Sequence, residues 1–247
     1  MKVAANLVSP METTQKTFMI SRLPIGIPGV DELIEGGLPR NSLTLLAGRS
    51  GTGRHTFAMQ YLYHGAAEMD EPGIYISLEK EPEEIIESTK RFGWDVNALI
   101  RDKKLAVIKP EIQRFDSLKK VIEDHVDRIG AKRLVISPFS LLSAYFENVY
   151  GARKALSELT TVMKKLDCTA LAITDIKEGD MVYSSTGFEE FVAGGVIALD
   201  LVFKKDSNSY VRTVFIRKME KTNHSLKLVP IEITSEGLKA YPDAEVF

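Results

Sequence analysis

Cysteine is almost missing from this chain of 247 residues. Cys168 is the only one, so an internal disulfide is excluded. Its flank, Cys168-Thr169-Ala170-Leu171-Ala172-Ile173, is strand-like and predicts a buried structural thiol rather than a nucleophile. Also missing is any apolar run of about 18 residues, the length a membrane-crossing helix requires. Met1 to Asn6 is too short, and too soon interrupted by Ser9-Pro10, to read as a signal peptide, so a cytoplasmic address is expected. A strong charge bias is absent as well. The formal net charge is −2, which gives no bulk attraction to nucleic acid or to an anionic membrane. What remains is ordinary for a globular protein, 44% hydrophobic and 27% charged, and long enough for one large α/β domain with its own core.

The most informative stretch runs from Leu43 to Phe57. An apolar strand, Leu43-Thr44-Leu45-Leu46-Ala47, leads into Gly48-Arg49-Ser50-Gly51-Thr52-Gly53-Arg54-His55, and a helix follows. The layout is that of a P-loop, G-x-x-x-x-G-K-S/T, whose backbone N–H groups turn inward around a phosphate at a helix N-terminus. The glycines stand where the motif needs them, but Arg54 replaces its lysine and His55 its hydroxyl residue.

Periodicity places the other elements. Residues 1 to 18 show no clear period and read as a flexible N-terminal arm, with one domain over 19–247. Val30, Leu33 and Ile34 have helical spacing, stopped by Gly36-Gly37 and Pro39. Strands are expected at 41–47, 74–78, 105–108, 134–137, 169–174, 196–201, 210–218 and 226–233. Helices are expected at 57–67, 83–92, 117–129 and 152–166, with a helical turn at 188–192. Strands and helices alternate up to Thr174 and strands dominate after it. The fold class is therefore α/β: a mostly parallel central sheet covered by helices, with antiparallel strands added at the C-terminal edge.

Over residues 19–242 the chain resembles the KaiC branch of the RecA superfamily of P-loop ATPases. The resemblance rests on an ordered set of segments. They are Gly26-Ile27-Pro28-Gly29-Val30-Asp31-Glu32-Leu33 with Gly36-Gly37-Leu38-Pro39, Ile74 to Glu79, Phe92-Gly93-Trp94-Asp95, Gly187 to Val192, and Ile233 to Leu238. It implies a three-layer αβα RecA-like fold, ATP or ADP as ligand, and a homo-oligomer, a hexameric ring with nucleotide between subunits.

Carried over position by position, the resemblance puts Gly48, Arg49, Ser50, Gly51, Thr52, Gly53, Arg54 and His55 around the nucleotide. Arg54 keeps the lysine's charge in a longer, planar group, or is a surface arginine on a broken loop. His55 is a poor ligand for Mg²⁺, which prefers oxygen, so Mg²⁺ binding is not expected there. Ser137 stands in the place of the Walker B aspartate. Glu79 matches the first of the family's paired catalytic glutamates and is the residual catalytic candidate, but Lys80 replaces the second, and a protonated lysine is no general base. Lys218, Thr222 and His224 match the segment that acts across the subunit interface, where Glu220 replaces an arginine. No metal ligand set emerges.

The main expectation is a ring-forming protein with degenerate Walker A and B motifs that binds nucleotide, or another phosphate-bearing anion, with little or no hydrolysis, and acts as a regulatory or scaffolding subunit beside an unidentified protein partner. One alternative is an active ATPase or kinase using Arg54, Glu79 and either Glu81 or Asp175. Another is a DNA-repair paralogue of the RecA/RadA type. Only the lysine clusters 204–205 and 218/221/227 would favour nucleic acid, and no basic-aromatic stripe accompanies them.

Overall fold

The structure is a computed structural model, described here for residues 20–112, 114–146, 148–176, 183–184, 187 and 189–246. The arm predicted for residues 1–18 and the Phe188 end of the predicted helical turn lie outside the described residues.

In chain order the elements are Arg22–Leu23 (β1), Leu38–Pro39 (β2), Leu43–Gly48 (β3), Arg54–Glu68 (α1), Gly73–Ser77 (β4), Pro82–Thr89 (α2), Val96–Arg101 (α3), Leu105–Ile108 (β5), Phe115–Ile129 (α4), Arg133–Ser137 (β6), Val149–Lys165 (α5), Thr169–Asp175 (β7), Glu189–Val192 (α6), Gly195–Lys204 (β8), Ser209–Met219 (β9), Val229–Ile233 (β10) and Leu238–Ala240 (β11). Among the described residues the main sheet has nine strands, ordered β11-β10-β9-β8-β3-β7-β6-β4-β5. The six from β8 to β5 are parallel, while β9, β10 and β11 join antiparallel at one edge. The predicted fold class is therefore observed.

Strand alternation sorts the core into two layers. Leu46, Tyr75, Val135 and Leu171 face α1, with Ile85 of α2 and Val96 of α3. Leu45, Ile74, Ile136 and Ala170 face α4 and α5. Both faces of the parallel strands are covered, as a parallel sheet requires. Cys168 is buried, free, and pushed up to about 12 by burial, in keeping with a structural thiol.

Sequence periodicity fails in one place. Val30 to Ile34 forms no α-helix but a single 3₁₀ turn, Asp31–Ile34. The reason is Asp31, whose carboxylate accepts the Ile25 and Gly26 amides at 2.7 and 3.0 Å and folds the chain back on itself. A two-residue ribbon, β1 with β2, closes this lead-in segment and was not legible from alternation.

Two of the signature segments meet on α1. Gln60 Oε1 accepts the Leu238 amide at 2.7 Å, and its Nε2 donates to the Leu238 carbonyl at 3.1 Å. Trp94 stacks on Tyr63 with centroids 5.2 Å apart and donates to the Glu236 carbonyl at 3.2 Å. The helix after the P-loop is thereby stapled to the last strand of the sheet.

At the opposite end of the sheet lies a buried charge cluster. Arg133 is fully buried and donates to Glu71 Oε2 through Nε and Nη2 at 2.9 and 2.6 Å, and to the Tyr61 carbonyl at 2.8 Å. Its guanidinium lies 4.8 Å from the Tyr61 ring centroid, and Arg40 donates to the other Glu71 oxygen at 2.5 Å. Gly65 makes room for it: a Cβ there would stand 2.1 Å from Arg133 Nε.

Candidate functional site

Parallel α/β sheets present ligands at the carboxyl ends of their strands. Here those ends are Gly48, Ser77, Ser137 and Asp175, on neighbouring strands. The loop from Gly48 enters α1 through Gly51 and Gly53, with φ of 80° and 99°, a left-handed conformation that favours glycine. Thr52 Oγ1 donates to the Arg49 carbonyl at 2.8 Å and Arg212 of β9 donates to the Gly51 carbonyl at 3.1 Å, so the loop is braced inside and outside.

The two arginines of the loop are engaged by the protein itself. Arg49 Nη1 lies 2.6 and 2.8 Å from the two Asp200 oxygens. Arg54, buried at the first position of α1, donates to the Thr174 carbonyl at 2.7 Å and to Asp175 Oδ1 at 2.6 Å. The sequence suggested a phosphate contact or a loose surface side chain for Arg54. It is not a loose surface side chain: it is held by the end of β7 while lining the space over the loop.

His55 is engaged as well. Its Nδ1 shares a 2.9 Å hydrogen bond with the Tyr75 hydroxyl. Burial, then Lys80 and Arg54, lowers its pKa to about 4, while burial pushes Tyr75 up to about 12. Both groups are neutral near pH 7. Ser137 is 2% exposed, with its hydroxyl beside that of Tyr75. None of these three side chains is a carboxylate, and no group of three His, Cys, Asp or Glu side chains able to hold a metal occurs among the described residues.

The lowered His55 pKa has a measurable consequence. Its folded-state value lies below the ordinary 6.5, so the unfolded chain binds more protons between about pH 4 and 6.5. Stability should therefore fall as pH drops through that window, by up to roughly 3 kcal/mol from this group. Urea unfolding of wild type and His55→Gln at pH 7 and pH 4.5 isolates the contribution. The variant should lose less stability than wild type, and parallel losses would refute the assignment.

An open cleft of about 380 Å³ lies over the loop, lined by Ser50, Gly51, Gly53, Arg54, His55 and Thr56, with Lys80 beyond the end of β4. Lys80 is exposed and has no acidic partner among the described residues. Glu79 is also exposed and lines a smaller neighbouring cavity with His55, Tyr75 and Ser137. Of the two acids named for an active-ATPase reading, Glu81 is paired with Lys109 at 2.6 Å and Asp175 with Arg54 of the loop itself, also at 2.6 Å. Asp200, Tyr75 and the Asp175 contact to Arg54 were not foreseen, since none is near the loop in sequence.

Lys218 and Thr222 lie at the other end of the sheet. Lys218 and Met219 pair with Val196 and Gly195, level with the start of β3, whereas the P-loop follows its end. Lys218 Nζ donates to the Ala193 carbonyl at 2.6 Å, and Thr222 Oγ1 accepts from Arg22 at 2.9 Å. His224, two residues on, contacts the Ser225 carbonyl at 3.1 Å. Along the strands this segment is set back from its own loop by about 13 Å, four residues' rise.

Comparison with known proteins gives a consistent result. The family model described as "ATPase: KaiC" matches residues 23–245. A UPF0273 protein of Methanocaldococcus jannaschii is 35% identical over 245 residues, covering 91% of this chain and 98% of its own. The circadian clock oscillator protein KaiC of Prochlorococcus marinus is 32% identical over 232 residues, covering 90% of this chain but 46% of its own, so the chain spans about half of that relative. A solved structure, the KaiC-like protein PH0186 of Pyrococcus horikoshii, superposes with a TM-score of 0.81 at 38% identity, covering 91% of this chain and all of that one.

Proposed function

Because the chain belongs to the KaiC family of ATPases, we propose that it binds ATP or ADP without needing Mg²⁺, and serves as a regulatory or scaffolding subunit rather than as an efficient ATPase. One observation carries the reading. The glycine loop, Lys80 and the two Walker A positions, Arg54 and His55, line an open cleft, where Arg54 is already paired with Asp175 and His55 with the Tyr75 hydroxyl. The loop amides and the N-terminus of α1 would hold phosphate oxygens, with Lys80 as the cation facing them.

Hydrolysis lacks its chemical parts. Ser137 offers no carboxylate to a metal, and Lys80 sits where a base would be needed. A transition-state arginine is commonly worth about 10³–10⁵ in rate, and Glu220 stands in its place. Assembly in a head-to-tail ring is the arrangement we favour. The segment is set back from its own P-loop, so a P-loop it reaches is a neighbour's, and such a heterologous contact forms a ring when the rotation between subunits closes.

The test is calorimetric titration with ATP in Mg²⁺ and in EDTA, beside a phosphate-release assay. Affinities in the two buffers should agree within about threefold, and turnover should stay far below the ~1 s⁻¹ at which ordinary enzymes begin. A tenfold requirement for Mg²⁺, or turnover at ~1 s⁻¹, would overturn the reading.

A further inference from the structure

We infer that Asp175 is a latch on the phosphate site: its carboxylate occupies the Arg54 guanidinium in place of a phosphate, and nucleotide binds by exchanging with it. The inference rests on the nucleotide-binding reading and adds how that site is controlled.

The two partners differ in their freedom to move. The Arg54 side chain is 9% exposed and is fixed a second time by the Thr174 carbonyl at 2.7 Å. Asp175 is the last residue of β7, and its side chain is 51% exposed. A buried guanidinium cannot lose its charge, so it needs an anion at all times. A half-exposed carboxylate can be released to water at little cost. If either partner lets go when a second anion arrives, it is Asp175.

The cleft supplies that second anion's place. Arg54 lines it directly beside the loop glycines and Lys80. A terminal phosphate seated there would meet Lys80 first and then compete with Asp175 for the Arg54 Nη1 donor. Phosphate carries more charge than a carboxylate and more oxygens to share, so exchange favours a polyphosphate over a simple carboxylate ligand. The released carboxylate also loses its hold on a neighbour. Its other oxygen accepts from Ser140 at 3.2 Å, in the 3₁₀ segment Phe139–Tyr145 that follows β6. Occupancy of the cleft is thereby reported to that segment.

A latch that is mostly closed lowers apparent affinity by the fraction of time it is open. Asp175→Asn keeps the shape and removes the charge, and should bind ATP in EDTA about tenfold more tightly than wild type. The same substitution in an Arg54→Gln background should gain nothing, because the carboxylate acts through that arginine. Circular dichroism confirms folding of each variant. Asp175→Asn alone carries the first comparison if the double variant does not fold.

A gain in wild type that vanishes in Arg54→Gln supports the latch, as does binding by Asp175→Asn when wild type binds too weakly to measure. Unchanged or weakened binding in Asp175→Asn, or an equal gain in both backgrounds, overturns the latch and leaves the nucleotide site standing. Absence of binding in every variant overturns both.

Discussion

Glu71→Gln should destabilise the fold by about 3–5 kcal/mol, the usual cost of leaving a buried ion without its partner. The effect is large because Arg133 has no exposed surface and cannot neutralise itself by losing a proton. In wild type, burial pushes the Glu71 carboxyl up, but hydrogen bonds from Arg40 and Arg133 outweigh it and hold the pKa below the usual carboxylate range. The stabilisation is therefore complete at neutral pH and is lost only as pH falls through that depressed value. For a chain of this size the loss corresponds to about 10 °C in Tm. Lys132→Ala, which breaks an exposed 2.7 Å pair with Asp167, should cost under about 1 kcal/mol. Urea unfolding of the three proteins decides the matter. Equal, small losses from both variants would mean that the cluster is screened and contributes no more than a surface pair.

Lys80→Glu should weaken ATP binding in EDTA by about 100-fold or more. A unit charge about 4 Å from a phosphate oxygen is worth roughly 4 kcal/mol at an effective dielectric of 20, before desolvation, and reversal replaces attraction with repulsion. Lys80 bears this role because Arg49 and Arg54 are both held by carboxylates while Lys80 faces the cleft without one among the described residues. Calorimetric titration of wild type, Lys80→Glu and Lys80→Arg tests it, the arginine variant being expected to retain most of the affinity. A Lys80→Glu protein that binds within threefold of wild type would show that the backbone cradle alone holds the phosphates.

The architecture was legible because its signals are local. Largely apolar runs from Leu43 to Ala47 and from Thr169 to Thr174 mark strands buried on both faces, and glycines mark the cradle whatever follows them. The directions of Arg54 and His55 were not legible, because their partners stand 121 and 20 residues away on other strands. Arg133 was hidden in a different way. An arginine opening an apolar strand reads as an edge residue, and its partner Glu71, followed by Pro72 and Gly73, has the sequence of a turn. One signal was available: Gly65 inside a helical pattern marks a close approach, and the guanidinium fills that space.

The staple between Gln60 and Leu238 joins residues 178 positions apart. During synthesis at about 5–20 residues per second, the helix that opens the anion cleft emerges with neither Leu238 nor Glu236 yet made. Its Gln60 amide has no strand to hold, and the Trp94 indole lacks its carbonyl. The nascent chain can lay down its parallel strands in order, but the brace on the ligand-facing helix waits for β11 to be made. The bracing of the cleft is thus tied to synthesis of β11: a polypeptide stopped short of it would carry the whole phosphate motif on a helix whose outer face is unfinished.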